Sequence, residues 1–83
     1  MAEGAHRESV SSHVVRILRE ERERRDISMT RVAEMAGLSQ GMISLVEHGL
    51  RNPSLDTLLR ICDALDLKLS GVLLRAERAA KRF

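Results

Sequence analysis

Residues 28–49 read SMTRVAEMAGLSQGMISLVEHG, and this stretch decides the fold. Val32, Ala33 and Ala36 recur at helical spacing behind Ser28, whose hydroxyl can accept from a free amide at a helix start. The spacing predicts a short helix over about 29–36. Gly37 then stops it, because glycine takes the left-handed conformation that ends a helix without steric cost. Leu38 follows as an apolar plug and Ser39 is a second N-cap. A helix over about 40–48 buries Ile43 and Val46 three residues apart and ends at Gly49. Two short helices joined by a tight glycine turn, with small Ala33 where they pack closest, make one helix project steeply from the other. The opposite face of the projecting helix carries Gln40, Gly41, Ser44, Leu45 and His48. None of these is needed for the core and none is acidic.

Outward from this centre the pattern stays helical. Val10, Val14, Ile17 and Leu18 predict a first helix over about 10–25, with Ser9, Ser11 and Ser12 available to cap it. Its second half, REERERRD, reads as a solvated charged face with Glu20–Arg24 and Glu21–Arg25 at i,i+4. Arg22 is set apart, because it lies beside the apolar stripe. Asn52-Pro53 marks a turn, and Ser54 caps a helix over about 55–65 whose stripe is Leu55, Leu58, Leu59, Cys62 and Leu65. Ser70 is the expected cap of a last helix, with Val72, Leu73, Ala76, Ala80 and Phe83 along one side. There is no strand-like alternation and no internal repeat. The expected organisation is a loose tail over 1–8, one domain over 9–74 and a helical extension over 75–83.

Composition narrows the function classes. Eighty-three residues suffice for one domain, and a chain this short buries only about 60% of its unfolded surface. Trp and Tyr are absent and the one Phe is terminal, so the core must be aliphatic. The net charge is only +2, but twelve of the fourteen basic residues are Arg, the better partner for phosphate and for buried carboxylates. No run approaches the roughly 18 apolar residues of a membrane span, and the N-terminus lacks the layout of a secretory signal. Cys62 cannot pair with a second cysteine, which suits a reducing cytoplasm, and its neighbours mark it as a small buried hydrophobe. No metal-site spacing or nucleophile–base arrangement stands out. The expectation is a non-enzyme with no catalytic residues, no metal and no cofactor.

The segment from Leu18-Arg19 to Ile27-Ser28, then VAEMAGLSQGMISLVEHG, then RNPSLDTLLRICDALDLKLSGVL, resembles the Cro/repressor, or Xre-type, helix-turn-helix family over residues 12–74. The string A-x-x-x-G-L-S followed by I-S-x-x-E-x-G and N-P-S-x-x-T-L makes the match specific. The resemblance implies an all-α, compact five-helix, lambda-repressor-like domain that binds double-stranded DNA. Gln40 matches a position that reads base edges, where an amide can pair with adenine. Ser44, Leu45 and His48 occupy other base-facing positions. Arg51 and Asn52 match the loop that grips phosphate, Ser39 is expected to contact the DNA backbone second to its capping role, and Thr30 or Arg31 is expected to take over the phosphate contact that Met29 cannot make. Arg22 and Glu47 match an ion pair between the first and third helices, and their place beside apolar stripes makes an unpaired charge there costly. The family usually dimerises through the fifth helix and the preceding loop, which here offer Leu67, Leu69, Val72 and Leu74. Met29 stands where many relatives carry a phosphate-contacting Gln, and Gly41 interrupts the projecting helix.

The expected function is therefore a cytoplasmic, sequence-specific transcriptional regulator acting as a homodimer on a palindromic operator. With no further segment for ligand sensing, control would fall to concentration or a protein partner. The rival reading is an antitoxin or other interaction module that binds DNA secondarily.

Overall fold

The computed structural model describes residues 3–81, and these form five helices in the order α1 Glu3–Arg24, α2 Met29–Ala36, α3 Gln40–Glu47, α4 Leu55–Ala64 and α5 Leu69–Ala80. The first helix is the longest. It packs mainly against α5, while α2 packs against both α3 and α4. Phe83, expected at the end of the last stripe, lies outside the described residues.

Three of the expected caps form. Ser28, Ser39 and Ser54 each accept the amide three residues on, from Arg31, Met42 and Thr57, at 3.0–3.1 Å. Helices α1 to α4 all stop the same way, on a residue with positive φ: Asp26, Gly37, Gly49 and Asp66. In each case the next amide reaches back to a carbonyl five residues earlier, as in Leu38 N–H to Ala33 O at 2.9 Å. At Gly37 a side chain would be doubly unwelcome. The φ is 70°, and an added Cβ would stand 3.0 Å from the guanidinium of Arg60, which donates to the Ala36 carbonyl at 3.3 Å. This is the turn from which α3 projects.

The core is aliphatic. Val14, Ile17 and Leu18 of α1 meet Val32 and Ala33 of α2, Ile43 and Val46 of α3, Ile61, Cys62 and Leu65 around α4, and Val72 and Ala76 of α5. Ala76 is completely buried and Ala80 nearly so, and such small side chains let α5 lie close along α1. Burial pushes the Cys62 thiol pKa upward, the neighbouring Asp63 carboxylate adding to it.

Four local expectations are corrected. Helix α1 begins at Glu3, so residues 3–8 continue the helix instead of forming a loose tail, and the serines at 9, 11 and 12 lie inside it rather than capping it. No proline interrupts the segment, and helix propagation needs no core period once a nucleus exists. Helix α5 starts one residue before Ser70, with Lys68 as its N-cap and no side-chain capping bond. On α4 and its cap Ile61, Cys62 and Leu65 are buried and Leu58 is half-buried against them, while Leu55 and Leu59 are exposed. Leu73 of α5 is likewise open, at 37% exposure.

The fourth correction concerns the charged run. Glu20 pairs with Arg16 at 2.9 Å rather than with Arg24. Glu21 is not on a solvated face at all: it is 4% exposed. Its carboxylate accepts from Arg24 at the end of its own helix, from Arg25 just beyond it and from Arg75 of α5 at 2.9 Å. The Arg25 guanidinium does most to hold the Glu21 pKa down to about 2, with Arg75 and Arg24 adding to it against the cost of burial.

Candidate nucleic-acid interface

Helix α3 has one face committed and one free. Ile43 and Val46 are each 1% exposed and fix it to the core. On the free face Gln40, Gly41, Leu45 and His48 are exposed and Ser44 is half-buried. Gln40 and Ser44 stand four residues apart and so share one line along the helix. No side chain of the chain itself occupies the space over Gly41, where an added Cβ would meet only the Ser39 hydroxyl at 4.0 Å. Internal packing therefore does not require glycine there.

His48 turns back onto its own helix. Its Nδ1 lies 2.7 Å from the Ser44 carbonyl, and a carbonyl only accepts, so Nδ1 carries the proton and donates. That leaves Nε2 as the outward-facing nitrogen. Ser39 caps the helix with its hydroxyl oxygen, which accepts from Met42 N–H and leaves the O–H available to donate.

The remaining expected residues fall into three places. Arg51 and Asn52 are exposed in the loop between α3 and α4. With Glu47, His48, Arg16 and Arg19 they line a groove of about 690 Å³ between α1 and that loop. Thr30 and Arg31 stand apart from it, exposed in the first turn of α2, where Arg31 approaches Glu34 at 3.7 Å. Met29, at the position of a phosphate-contacting Gln in many relatives, is half-buried and packs against the core. Arg19 was not singled out by sequence, although it precedes Arg22 by three residues and so shares that side of α1.

The expected pair of Arg22 and Glu47 is present as a two-pronged fork. Arg22 Nε donates to Glu47 Oε2 at 2.6 Å and Nη2 to Oε1 at 2.9 Å, while Nη1 donates to the Ile27 carbonyl at 2.8 Å. Both side chains are mostly buried, at 13% and 8% exposure. The bonded carboxylate raises the Arg22 pKa further. One guanidinium thus joins the end of α1, the turn after it and α3.

Of the residues expected to bring two copies together, only Leu74 is open, at 48% exposure. Leu67 and Leu69 are half-buried against the core, and Val72, at 2%, belongs to the chain's own interior. Val72 faces α1 because it continues the Ala76–Ala80 stripe. It is unavailable to a partner.

Among the described residues no group of three or more His, Cys, Asp or Glu could hold a metal ion, and no helix is long and apolar enough to cross a membrane. Comparison with known proteins agrees with the geometry. A family model described as helix-turn-helix matches residues 18–72. An uncharacterised HTH-type transcriptional regulator of Mycobacterium tuberculosis is 41% identical over 59 residues, covering 71% of this chain and 42% of that protein. The transcriptional regulator ClgR of the same organism is 39% identical over 67 residues, covering 80% of this chain and 60% of that protein. An HTH-type regulator of Haemophilus influenzae is 38% identical over 58 residues, 70% of this chain and 59% of its own length. The match thus spans about half the length of these relatives. With a tight glycine turn, a core-anchored α3 and the matched segment from α1 into α5, the chain belongs to the Xre/Cro-like helix-turn-helix family.

Proposed function

We propose that this chain is a sequence-specific DNA-binding transcriptional regulator that inserts α3 into the major groove and acts in the cytoplasm as a homodimer on a palindromic operator. The carrying observation is the free face of α3. It is largely polar, with Leu45 as its one large apolar side chain, lacks acidic side chains and is open but for half-buried Ser44, while its opposite face is fixed by Ile43 and Val46. A helix held this way meets the groove in one orientation. The family membership and the regulator names of the relatives support the same reading.

In this reading Gln40 contacts base edges through its amide, with Ser44 one turn further on and Leu45 placed for a thymine methyl. His48 presents Nε2 at the far end of the helix. Ser39, Thr30, Arg31, Arg51 and Asn52 hold the DNA backbone and carry register rather than sequence. Gly41 allows the α3 backbone to approach the DNA closely. Selection from a random duplex pool is expected to enrich a two-fold-symmetric site. On that site Gln40→Ala should cost about 1 kcal/mol and relax preference at one base pair of each half-site, with Ser44→Ala acting at a neighbouring one. Unchanged preference in both variants removes the base-reading assignment. Failure to enrich any sequence at low salt removes the DNA reading.

The dimer surface in this proposal is Leu74, edged by Leu67 and Leu69; Val72 takes no part. Leu74→Glu should move the chain from dimer to monomer in light scattering and weaken the full operator more than an isolated half-site. A variant that remains dimeric places the interface elsewhere.

A further inference from the structure

The cations on this surface are not evenly employed. Arg16, Arg22, Arg24, Arg25, Arg31, Arg60 and Arg75 each have a carboxylate within 4.0 Å. Arg7, Arg19, Arg51 and Arg78 have none among the described residues. Three of these four, Arg7, Arg19 and Arg51, line the same groove between α1 and the α3–α4 loop, Arg19 and Arg51 together with His48 and Asn52 over a floor that includes Val14 and Leu58. The acids of that groove do not neutralise Arg19 or Arg51. Glu47 is spent on Arg22, and Glu8 lies about 16 Å from Arg19 along the axis of α1.

We propose that Arg19 is a further DNA-backbone residue, which with Arg51 and Asn52 grips one phosphate strand across this groove beside the Arg22–Glu47 fork. The proposal rests on the reading of the chain as a DNA-binding regulator and adds a contact supplied by α1. Three features favour a DNA strand over a small anion. The groove is open along its side, it runs into the exposed end of α3 at His48, and it offers separate donors on two segments rather than one enclosed pocket. A strand carrying a phosphate at every nucleotide can meet both at once. Such a contact fixes the rotation of α1, and through the fork that of α3, against the duplex without reading any base.

The test uses the full chain and the site enriched from the random pool, with affinity measured by fluorescence anisotropy over a salt series. Arg19→Gln should weaken binding about three- to tenfold near 0.1 M salt, equally for the selected site and a scrambled one. It should also lower the slope of log K against log salt by about one. Arg51→Gln should do the same, and Arg19→Lys should restore most of the slope. Arg78→Gln, the same charge change outside the groove, should leave the slope alone. Arg19 has no internal partner, so the thermal midpoint of its variant should match the parent and remove misfolding as a cause. A slope unchanged in Arg19→Gln, or lowered equally in Arg78→Gln, overturns the contact while leaving the DNA reading intact. Stabilisation by inorganic phosphate that depends on Arg19, with no effect of Arg19→Gln on DNA, overturns it in favour of a small-anion site. A parent chain that binds no duplex at low salt overturns both.

Discussion

Replacing Arg22 by Met is expected to lower the stability of the domain by about 3 kcal/mol, on the order of 10–20 °C in thermal midpoint. Methionine keeps the apolar stem but leaves Glu47, whose side chain is 8% exposed, without either of its charge-assisted bonds. It also strips the Ile27 carbonyl of its guanidinium donor. A carboxylate stranded in this way costs far more than the intact pair gains, because desolvation is no longer offset by attraction. The double variant Arg22→Met with Glu47→Leu should therefore recover most of the loss. Thermal unfolding followed by circular dichroism checks both. A single variant as stable as the parent would show that the fork does not hold α3 in place.

The second large effect is on acid stability. Glu21 titrates at about 2 in the folded chain, against an ordinary value of 4.5. A carboxylate held down by its partners contributes its full stabilisation above the unfolded value, and the contribution fades as pH falls from about 5 toward 2. With allowance for the solvent reaching Arg24 and Arg75, this is about 2 kcal/mol. Urea unfolding at pH 7, 5, 4, 3 and 2 should show the parent losing this increment while Glu21→Gln, already without it, declines less steeply. The two curves should converge near pH 2. Parallel curves across the whole range would remove Glu21 as the source of the acid sensitivity.

These two carboxylates show what sequence reading reaches and where it stops. The turn between α2 and α3 was legible because each of its parts is local. Ser28, Gly37 and Ser39 act on amides and carbonyls within five residues, and α2 falls on the expected 29–36. Glu47 was legible through the family motif together with its place beside an apolar stripe. For Glu21 only the i,i+4 pair with Arg25 was legible; its burial was not, because one of its three partners, Arg75, lies 54 residues away on a helix whose packing the sequence does not state. The stripe on α4 failed for another reason. Of the expected Leu55, Leu58, Leu59, Cys62 and Leu65, the two exposed leucines fit the helical period as well as Ile61 does, and the position of the helices packed against α4 selects between them. On α3 the split between a core face and a free face was readable from helical spacing. The backward turn of His48 and the neighbourhood of Arg19 depend on side-chain geometry and loop placement, which periodicity does not carry.

The eight residues of α3 are too few to hold a helix alone in water, where about 12–15 are needed for even marginal stability. The Ser39 cap, the two core anchors and the fork from α1 keep it wound before any partner arrives. Its ordering is thus completed when the chain folds, and meeting a duplex leaves little more than side chains such as Gln40 to immobilise. A helix prepared in this way can be short and still read DNA, because association need not overcome the conformational entropy of winding it.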